Sequence, residues 1–178
     1  STRKESSAAS DVYKRQNLSG AKWHKKTYKW NKVENKMLIG EFRHNLDPKG
    51  RITIPSKFRE DLSVFVMTKG LDDCLFLYPK DQWEKIENKL KELPMTNKAV
   101  RSFVRTFFSG AVDCVLDKQG RVLIAENLRD YANLEDKCVI IGLSNRAEVW
   151  SEENWNRYNE EEALSYEELA EKMSELGI

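Results

Sequence analysis

The stretch GEFRHNLDPKGRITIPSKFRE at residues 40–60 returns without a gap as GAVDCVLDKQGRVLIAENLRD at residues 110–130. Farther on, GLDDCLFLYP at 70–79 matches GLSNRAEVWS at 142–151, and Trp83 matches Trp155. Chance agreement at so many glycine, aspartate and arginine positions is improbable, so we predict one small module written twice. The identical positions of the two long stretches are Gly40, Leu46, Asp47, Gly50, Arg51, Ile54 and Arg59, which recur as Gly110, Leu116, Asp117, Gly120, Arg121, Ile124 and Arg129.

Each copy predicts a tight turn between two strands. Asp47 and Gly50 stand between strand-like runs, where an aspartate bonds its own turn and a glycine takes the positive φ of the reversal. Asp117 and Gly120 repeat this pair, so we assign all four residues to bracing the turns. Residues 52–54 then alternate apolar and polar side chains, as a half-buried strand does.

Further strands and helices are predicted after each turn. Ser56 is expected to cap a short helix that reaches Leu62. Neither copy alone offers much core, so we expect the two copies to pack together. The other strands are predicted at 65–67, 75–78, 139–141 and 148–150, and helical periodicity indicates helices from Asp81 to about Leu93, from Thr96 onward, and along the acidic end with Leu164, Leu169, Met173 and Leu176 near one side.

These elements suggest five parts of the chain. Residues 1–36 show no hydrophobic periodicity, and SSAASDVYKRQ within them resembles a translated sequencing-adapter fragment. We therefore expect a non-native or disordered leader; a basic DNA-binding arm with interleaved Trp23, Tyr28 and Trp30 is the alternative. The predicted parts after the leader are a first module with its helix at 37–93, a connecting helix at 94–109, a second module at 110–155 and an acidic C-terminal helix at 156–178.

Composition and charge exclude several classes of protein. No stretch approaches the roughly 20 consecutive apolar residues of a membrane helix. The three cysteines lie far apart without a C-x-x-C spacing, so we expect no disulfide framework, no metal site and a reducing cytoplasm. Between residues 37 and 150 the chain carries 18 basic and 17 acidic residues, so a DNA-binding surface must be a local patch.

The Asp-x-x-Gly-Arg turn admits two interpretations. In the structural one, Arg51 and Arg121 pair with Asp47 and Asp117 and brace the turns. In the functional one, a tight hairpin projects an arginine fork, which bonds phosphate or a guanine edge in a bidentate way. A two-stranded ribbon also fits the major groove of DNA.

Residues 37–178 resemble the MraZ family, bacterial transcription regulators made of two AbrB-like (SpoVT-AbrB) swapped-hairpin modules. The segments that carry the resemblance are MLIGEFRHNLDPKGRITIPSKFRE, DCLFLYPKDQW, FFSGAVDCVLDKQGRVLIAENLRDYA and VIIGLSNRAEVW. The resemblance implies an α+β fold in which two tandem modules form an intrachain double-psi-like barrel with flanking helices. It also implies a ring-like homo-oligomer, located in the cytoplasm with the nucleoid, that needs no cofactor. Its expected partner is double-stranded promoter DNA with repeated short boxes, ahead of the division and cell-wall gene cluster.

The resemblance also implies which residues contact DNA. Basic positions before the turn, just after it and on the short helix correspond to His44, Arg51 and Arg59. In the second copy they correspond to Cys114, Arg121 and Arg129, and a cysteine makes no phosphate contact. We therefore expect the first hairpin to recognise DNA, with an Arg51 fork free of any competing carboxylate, while the second mainly completes the fold. Additional charge beside the turns comes from Arg43, Lys49 and Lys118.

Two other functions compete with this interpretation. An enzyme would need a nucleophile and base or a ligand cluster, but His44 is the single histidine after the leader and has no identifiable partner. We therefore predict that the protein is not an enzyme. An AbrB-type antitoxin, or another non-catalytic oligomeric DNA-binding module, is the closer rival. Such an antitoxin usually joins one module to a disordered tail, whereas this chain carries two modules.

Overall fold

A computed structural model describes residues 37–162 and 164–177, so the expectation about the leader at 1–36 lies outside it. The described chain is a mixed fold of eight strands and five α-helices. The first copy contains β1 (Leu38–Asn45), β2 (Arg51–Thr53), a 3-10 turn (Ser56–Phe58), β3 (Val64–Lys69), β4 (Leu75–Pro79), α1 (Lys80–Lys91) and α2 (Lys98–Ser109). The second contains β5 (Val112–Val115), β6 (Arg121–Leu123), α3 (Glu126–Tyr131), β7 (Lys137–Ser144), β8 (Ala147–Ser151), α4 (Glu152–Arg157), a π-helical turn (Tyr158–Glu162) and α5 (Tyr166–Glu175).

The strands of the two copies exchange partners. A six-stranded antiparallel sheet has the order β1-β7-β8-β4-β3-β5, and a second sheet pairs β2 with β6. β1 of the first copy thus lies against β7 of the second, while β5 of the second lies against β3 of the first. Two of the pairings join equivalent strands of the two copies. Ile52 lies opposite Val122 at the centre of the β2–β6 pair, and Phe76 lies opposite Glu148 at the centre of the β4–β8 pair. The predicted packing of the copies together is therefore confirmed as interleaving.

Both sheets are open within the described residues. β1 and β5 form the two edges of the six-stranded sheet, and no barrel closes. The α+β class predicted from the sequence is confirmed. All strands are antiparallel, which suits a chain whose two copies are related by an approximate two-fold axis.

The repeated apolar positions meet in one core. Ile54 and Ile124 are buried in the same cluster, and so are the paired positions Phe58 and Leu128. Each copy alone would leave these side chains on an open face, so the burial of apolar area favours interleaving. Farther along, Trp150 packs with Trp155 and Tyr158 in a second cluster.

All three cysteines are buried. Burial raises the pKa of Cys74 far above its usual range, and the charge of Glu148 adds to the shift. Burial also raises the pKa of Cys114 and of Cys138 to about 11. Since the thiolate is the reactive form, these residues are inert structural groups.

Several predicted details are wrong in the described chain. Ser56 caps no helix: Pro55 precedes a single 3-10 turn, so the predicted helix to Leu62 is much shorter. The helix predicted from Asp81 begins one residue earlier, after Pro79, because a proline ends the strand and sets the φ of a helix entry. The acidic end is not one helix either, since α4 and α5 are separated by the π-helical turn and a short link.

The sequence comparison aligned Gly70 with Gly142, but the strand register shows that this alignment is wrong by one residue. Gly142 pairs with Ala147 in β8, whereas the counterpart of Ala147, Leu75, pairs with Lys69. Lys69 is therefore the structural counterpart of Gly142, and the first copy has one more residue in its turn. The glycine is needed only in the second copy, because β1 covers it there while the shorter β5 does not reach Lys69.

Candidate nucleic-acid interface

The turn before β2 is built by hydrogen bonds to Asp47. Its Oδ1 accepts the backbone N–H groups of Lys49 at 2.9 Å and Arg51 at 3.0 Å. The backbone closes the same turn, since the Gly50 N–H donates to the Asp47 carbonyl at 2.8 Å. Gly50 has a φ of +77°, which a residue with a Cβ rarely adopts. The predicted turn-bracing roles of Asp47 and Gly50 match this geometry.

The turn before β6 has the same construction. Asp117 Oδ1 accepts the N–H groups of Gln119 at 2.8 Å and Arg121 at 2.9 Å. Gly120 donates to the Asp117 carbonyl at 2.9 Å and has a φ of +74°. The two turns are therefore nearly identical in backbone structure.

Each turn aspartate also holds an arginine side chain. The Nε and Nη2 atoms of Arg51 lie 2.7 Å from Asp47 Oδ2, and those of Arg121 lie 2.9 and 2.8 Å from Asp117 Oδ2. The expectation that the Arg51 fork is free of a competing carboxylate is wrong, because Asp47 supplies one. The structural interpretation, in which both arginines pair with their turn aspartates, has the geometry it predicted.

The pairing leaves a usable edge on each arginine. A guanidinium has five N–H donors, and Asp47 engages one on Nε and one on Nη2 of Arg51. The remaining N–H groups on Nη1 and Nη2 form a second, bidentate edge. The side chains of Arg51 and Arg121 are 30% and 26% exposed, so exposure does not distinguish the two turns. Each aspartate thus orients its arginine without binding the N–H groups of this second edge.

The turn arginines lower the pKa of their aspartates. The pKa of Asp47 falls to about 2, mainly because the Arg51 side chain donates to the carboxylate. The pKa of Asp117 is also lowered, first by the backbone N–H of Arg121 and then by its side chain. Both carboxylates are therefore ionised wherever the protein is folded near neutral pH.

We expect the Asp47 contribution to stability to be lost in acid. An unfolded aspartate has a pKa of about 3.9, and the folded pKa of about 2 lies below it. The stabilisation is therefore fully present above about pH 4 and disappears as the pH falls towards 2. In thermal melts, Asp47→Asn should be less stable than the parent at pH 7, with the gap closing towards pH 2. A gap that stays constant over this range would contradict the ion-pair assignment, and Asp113→Asn, at an exposed strand position, is the control.

Each turn is also fixed by the opposite copy. The N–H of Ile54 donates to the Gly120 carbonyl at 2.9 Å, and the N–H of Ile124 donates to the Gly50 carbonyl at 2.9 Å. A Cβ on Gly50 would lie 2.1 Å from Nη1 of Arg129. A Cβ on Gly120 would lie 2.4 Å from Nε of Arg59. The two arginines therefore cross over and cover the turn glycines of the other copy.

We call Arg59 and Arg129 the crossed arginines, because each packs against the turn glycine of the other copy. Both are half-buried, and Arg59 Nε donates to the Ile54 carbonyl at 2.9 Å. The family resemblance implied a DNA contact for both, as the basic residues on the short helix of each copy. The repeat contained a sequence signal for this packing role, since Gly50 and Arg59 recur together as Gly120 and Arg129. The partner of each glycine is more than 60 residues away along the chain, so spacing alone could not identify it.

The other predicted contact residues differ in their surroundings. Arg43 donates to Glu152 at 2.8 Å and to Glu41 at 3.0 Å, so two carboxylates neutralise it. Glu152 is a functional neighbour that the sequence did not indicate, since it follows Arg43 by 109 residues. Lys49 and Lys118 are exposed and form no ion pair within residues 37–162 and 164–177.

His44 lies half-buried on β1. Its pKa is lowered, first by burial and then by the positive charge of Arg59. The imidazole is therefore neutral at physiological pH and adds no positive charge to the surface of the free protein. Its counterpart Cys114 is buried and carries no charge, so the two copies differ in chemistry at this position.

Among the described residues, no three histidine, cysteine, aspartate or glutamate side chains are grouped so as to hold a metal ion. None of the described helices has the length and apolar character to cross a bilayer. The repeated chemical feature is thus the pair of aspartate-oriented arginine turns.

Fold and site together define a protein of two interleaved copies, each with a turn in which an aspartate holds an arginine. The family model described as "MraZ protein, putative antitoxin-like" matches residues 37–106 and again residues 107–176. The chain belongs to the MraZ family. It is 57% identical over 143 residues to the transcriptional regulator MraZ of Alkaliphilus oremlandii and, over the same length, 57% identical to that of Caldicellulosiruptor saccharolyticus. The transcriptional regulator MraZ of Clostridium tetani is 56% identical, and each match covers 80% of this chain and 100% of the relative.

Proposed function

We propose that this protein is a sequence-specific DNA-binding transcriptional regulator that reads DNA with its hairpin turns. The observation that carries the proposal is the pair of turns in which an aspartate orients a partly exposed arginine and leaves its second N–H edge unoccupied. Such an edge matches the N7 and O6 acceptors of guanine or two phosphate oxygens. The relatives carry the name transcriptional regulator, which agrees with this chemistry.

The first turn is proposed as the main reader, with Arg51 on the base edge and Lys49 on phosphate. His44 and Arg43 lie upstream on β1, where approaching phosphate would compete with the carboxylates that now hold Arg43. The crossed arginines Arg59 and Arg129 are proposed to fix the turns, with any DNA contact secondary. Arg121 and Lys118 are proposed as weaker contacts of the second turn.

The coupling of the turns supports recognition by the two hairpins as one rigid unit. Gly120 bonds the backbone of Ile54, four residues beyond Gly50, so the turns are separated by roughly 13 Å of extended chain. That separation is close to the width of a major groove, about 12 Å. We infer that β2 and β6 act as the ribbon that approaches DNA. The interleaved sheets are proposed to have the double-psi-like connectivity implied by the resemblance.

We also propose self-assembly and a promoter target. One hairpin neutralises few phosphates, so useful affinity requires several linked modules at high effective concentration. A ring-like homo-oligomer on repeated short boxes provides that, and we propose that the boxes lie ahead of the division and cell-wall gene cluster, as the resemblance implies. The corresponding location is the cytoplasm, in association with the nucleoid. No enzymatic activity is proposed.

A gel-shift titration with the DNA just upstream of the protein's own gene tests this function. Full-length protein should shift this DNA at concentrations at which scrambled DNA of equal length stays free, at physiological ionic strength. Footprinting of the shifted complex should show protection that recurs at the repeated boxes. Equal competition by specific and scrambled DNA would favour the rival, an antitoxin-type or other oligomeric module whose main partner is not this promoter.

We expect DNA binding to strengthen as the pH falls from 7.5 to 6. His44 is neutral in the free protein because its pKa is lowered. A nearby phosphate would favour the protonated form, so binding takes up a proton and affinity rises by at most about tenfold per pH unit for each such histidine. His44→Gln should remove this dependence while leaving specific binding measurable. The same pH slope in both proteins would show that His44 does not face the DNA.

A further inference from the structure

The C-terminal helix α5 presents an apolar stripe to solvent. Every residue in the range 164–177 is exposed, including Tyr166, Leu169, Met173 and Leu176, which recur at helical spacing. Ser165 and Glu168 form a capping box that fixes where the helix begins. An isolated helix of this length is marginal in water, so packing of its apolar side against another surface would stabilise it.

The first copy has a counterpart of α5, the helix α2, which is packed against the protein. The two matched units end at residues 106 and 176, so α2 and α5 hold equivalent places in the repeat. α2 folds back on its own copy, where Phe107 stacks on Trp83 at 5.3 Å and contacts Tyr78. α5 has the same kind of stripe but remains exposed along its whole length.

A groove of matching character lies between α1, α2 and β4. Its volume is about 250 Å³. Phe103 and Leu71 form an open rim, with 45% and 60% of their surface exposed. The apolar walls include Phe76, Tyr78, Ile86, Leu90, Phe103 and Phe107.

The charges of the helix and of the groove are opposite. α5 carries four glutamates and one lysine, whereas residues 80–109 carry seven basic and four acidic residues. Lys69 lines the groove directly. Lys89 follows Ile86 by three residues, which places both on the same side of α1. An acidic amphipathic helix is therefore complementary to this groove in both polarity and charge.

We propose that α5 of one chain docks into the α1–α2 groove of a second copy. The inference rests on the self-assembly in the proposed function and names the surfaces that perform it. Helix and groove are different surfaces, so the contact is heterologous, and repeating it around a closing rotation generates a ring. The interaction follows the helix-in-groove mode, with anchors at successive turns of the helix.

Two complementary variants test the docking. Leu169→Glu places a charge in the apolar stripe of α5, and Phe103→Glu places a charge on the rim of the groove. Both side chains are already exposed in the parent, at 39% and 45%. In sedimentation experiments at micromolar concentration the full-length parent should be a multi-subunit species, and each variant alone should be a monomer. Mixed in equal amounts, the variants should form a one-to-one dimer, because one retains the groove and the other retains the helix.

The control is a variant that adds the same charge outside the groove. Val115→Glu, at a strongly exposed apolar position outside the groove, should sediment as the parent does. Melting curves check folding, and Leu71→Glu replaces Phe103→Glu if the latter unfolds. A monomeric parent, a folded variant of parental size, or a mixture that stays monomeric would overturn the docking. An assembling parent that lacks promoter preference in gel shifts would leave the docking intact and remove the proposed DNA function instead.

Discussion

Replacing Arg51 by alanine is expected to weaken specific DNA binding by about 1–3 kcal/mol for each engaged hairpin, which is roughly 5- to 150-fold. The loss is multiplied in an assembly that engages several hairpins. The cause is removal of the partly exposed guanidinium edge that the pairing with Asp47 leaves unoccupied. Stability should change little, since exposed ion pairs contribute little and the backbone bonds to Asp47 remain. Titrations of promoter DNA, with thermal melts, measure both effects.

Arg121→Ala is the matched control because its turn has the same backbone and the same ion pair. It should cost clearly less binding, since Asp113 and Cys114 replace Arg43 and His44 upstream of its turn. Arg51→Lys should not restore affinity, because a lysine lacks the planar fork. Equal losses in folded Arg51→Ala and Arg121→Ala proteins would show that both hairpins read DNA. Undiminished binding by Arg51→Ala would remove the main site assignment.

Gly142→Ala should be among the most destabilising single-methyl substitutions in the chain. A Cβ at this position would lie 2.5 Å from the carbonyl carbon of Leu38 and 2.6 Å from the nitrogen of Ile39. These are backbone atoms of β1, which cannot rotate away as a side chain can. The strand must move from β7, so we expect a loss of about 1–3 kcal/mol or more and a Tm lower by several degrees.

Gly110→Ala serves as the control for this substitution. Its Cβ would come nearest to Cγ and Cδ of Lys69, at 3.0 and 3.3 Å, and a lysine side chain can shift at small cost. Chemical denaturation should therefore separate the two variants, with Gly110→Ala close to the parent. Equal stability of the Gly142 and Gly110 variants would contradict the close pairing of β1 with β7.

The local features of the fold were predictable because a few neighbouring residues determine them. Asp47 and Gly50 specify their turn through bonds within five residues, and the repeat of the first copy's pattern located β7 and β8 in the second. The repeat itself indicated that two copies share one core. These predictions needed no knowledge of where distant segments meet.

The remaining features depend on contacts between the copies. Arg129 covers Gly50, and Glu152 holds Arg43, across separations that no local pattern reveals. The pairing of Arg51 with Asp47 was weighed from the sequence, but the donors left free by that pairing follow only from the atomic geometry. The one-residue shift at Gly142 likewise required the strand register.

Cross-linking from the turns tests most directly whether the hairpins meet DNA. The native cysteines are buried, so a photoreactive group can be attached selectively at Lys49→Cys, Gln119→Cys or Asn88→Cys, all of which are exposed positions. With promoter DNA and excess scrambled competitor, position 49 should cross-link strongly within the repeated boxes, position 119 more weakly, and position 88 on α1 hardly at all. A fully shifted complex in which neither turn position cross-links to DNA would contradict recognition by the hairpins.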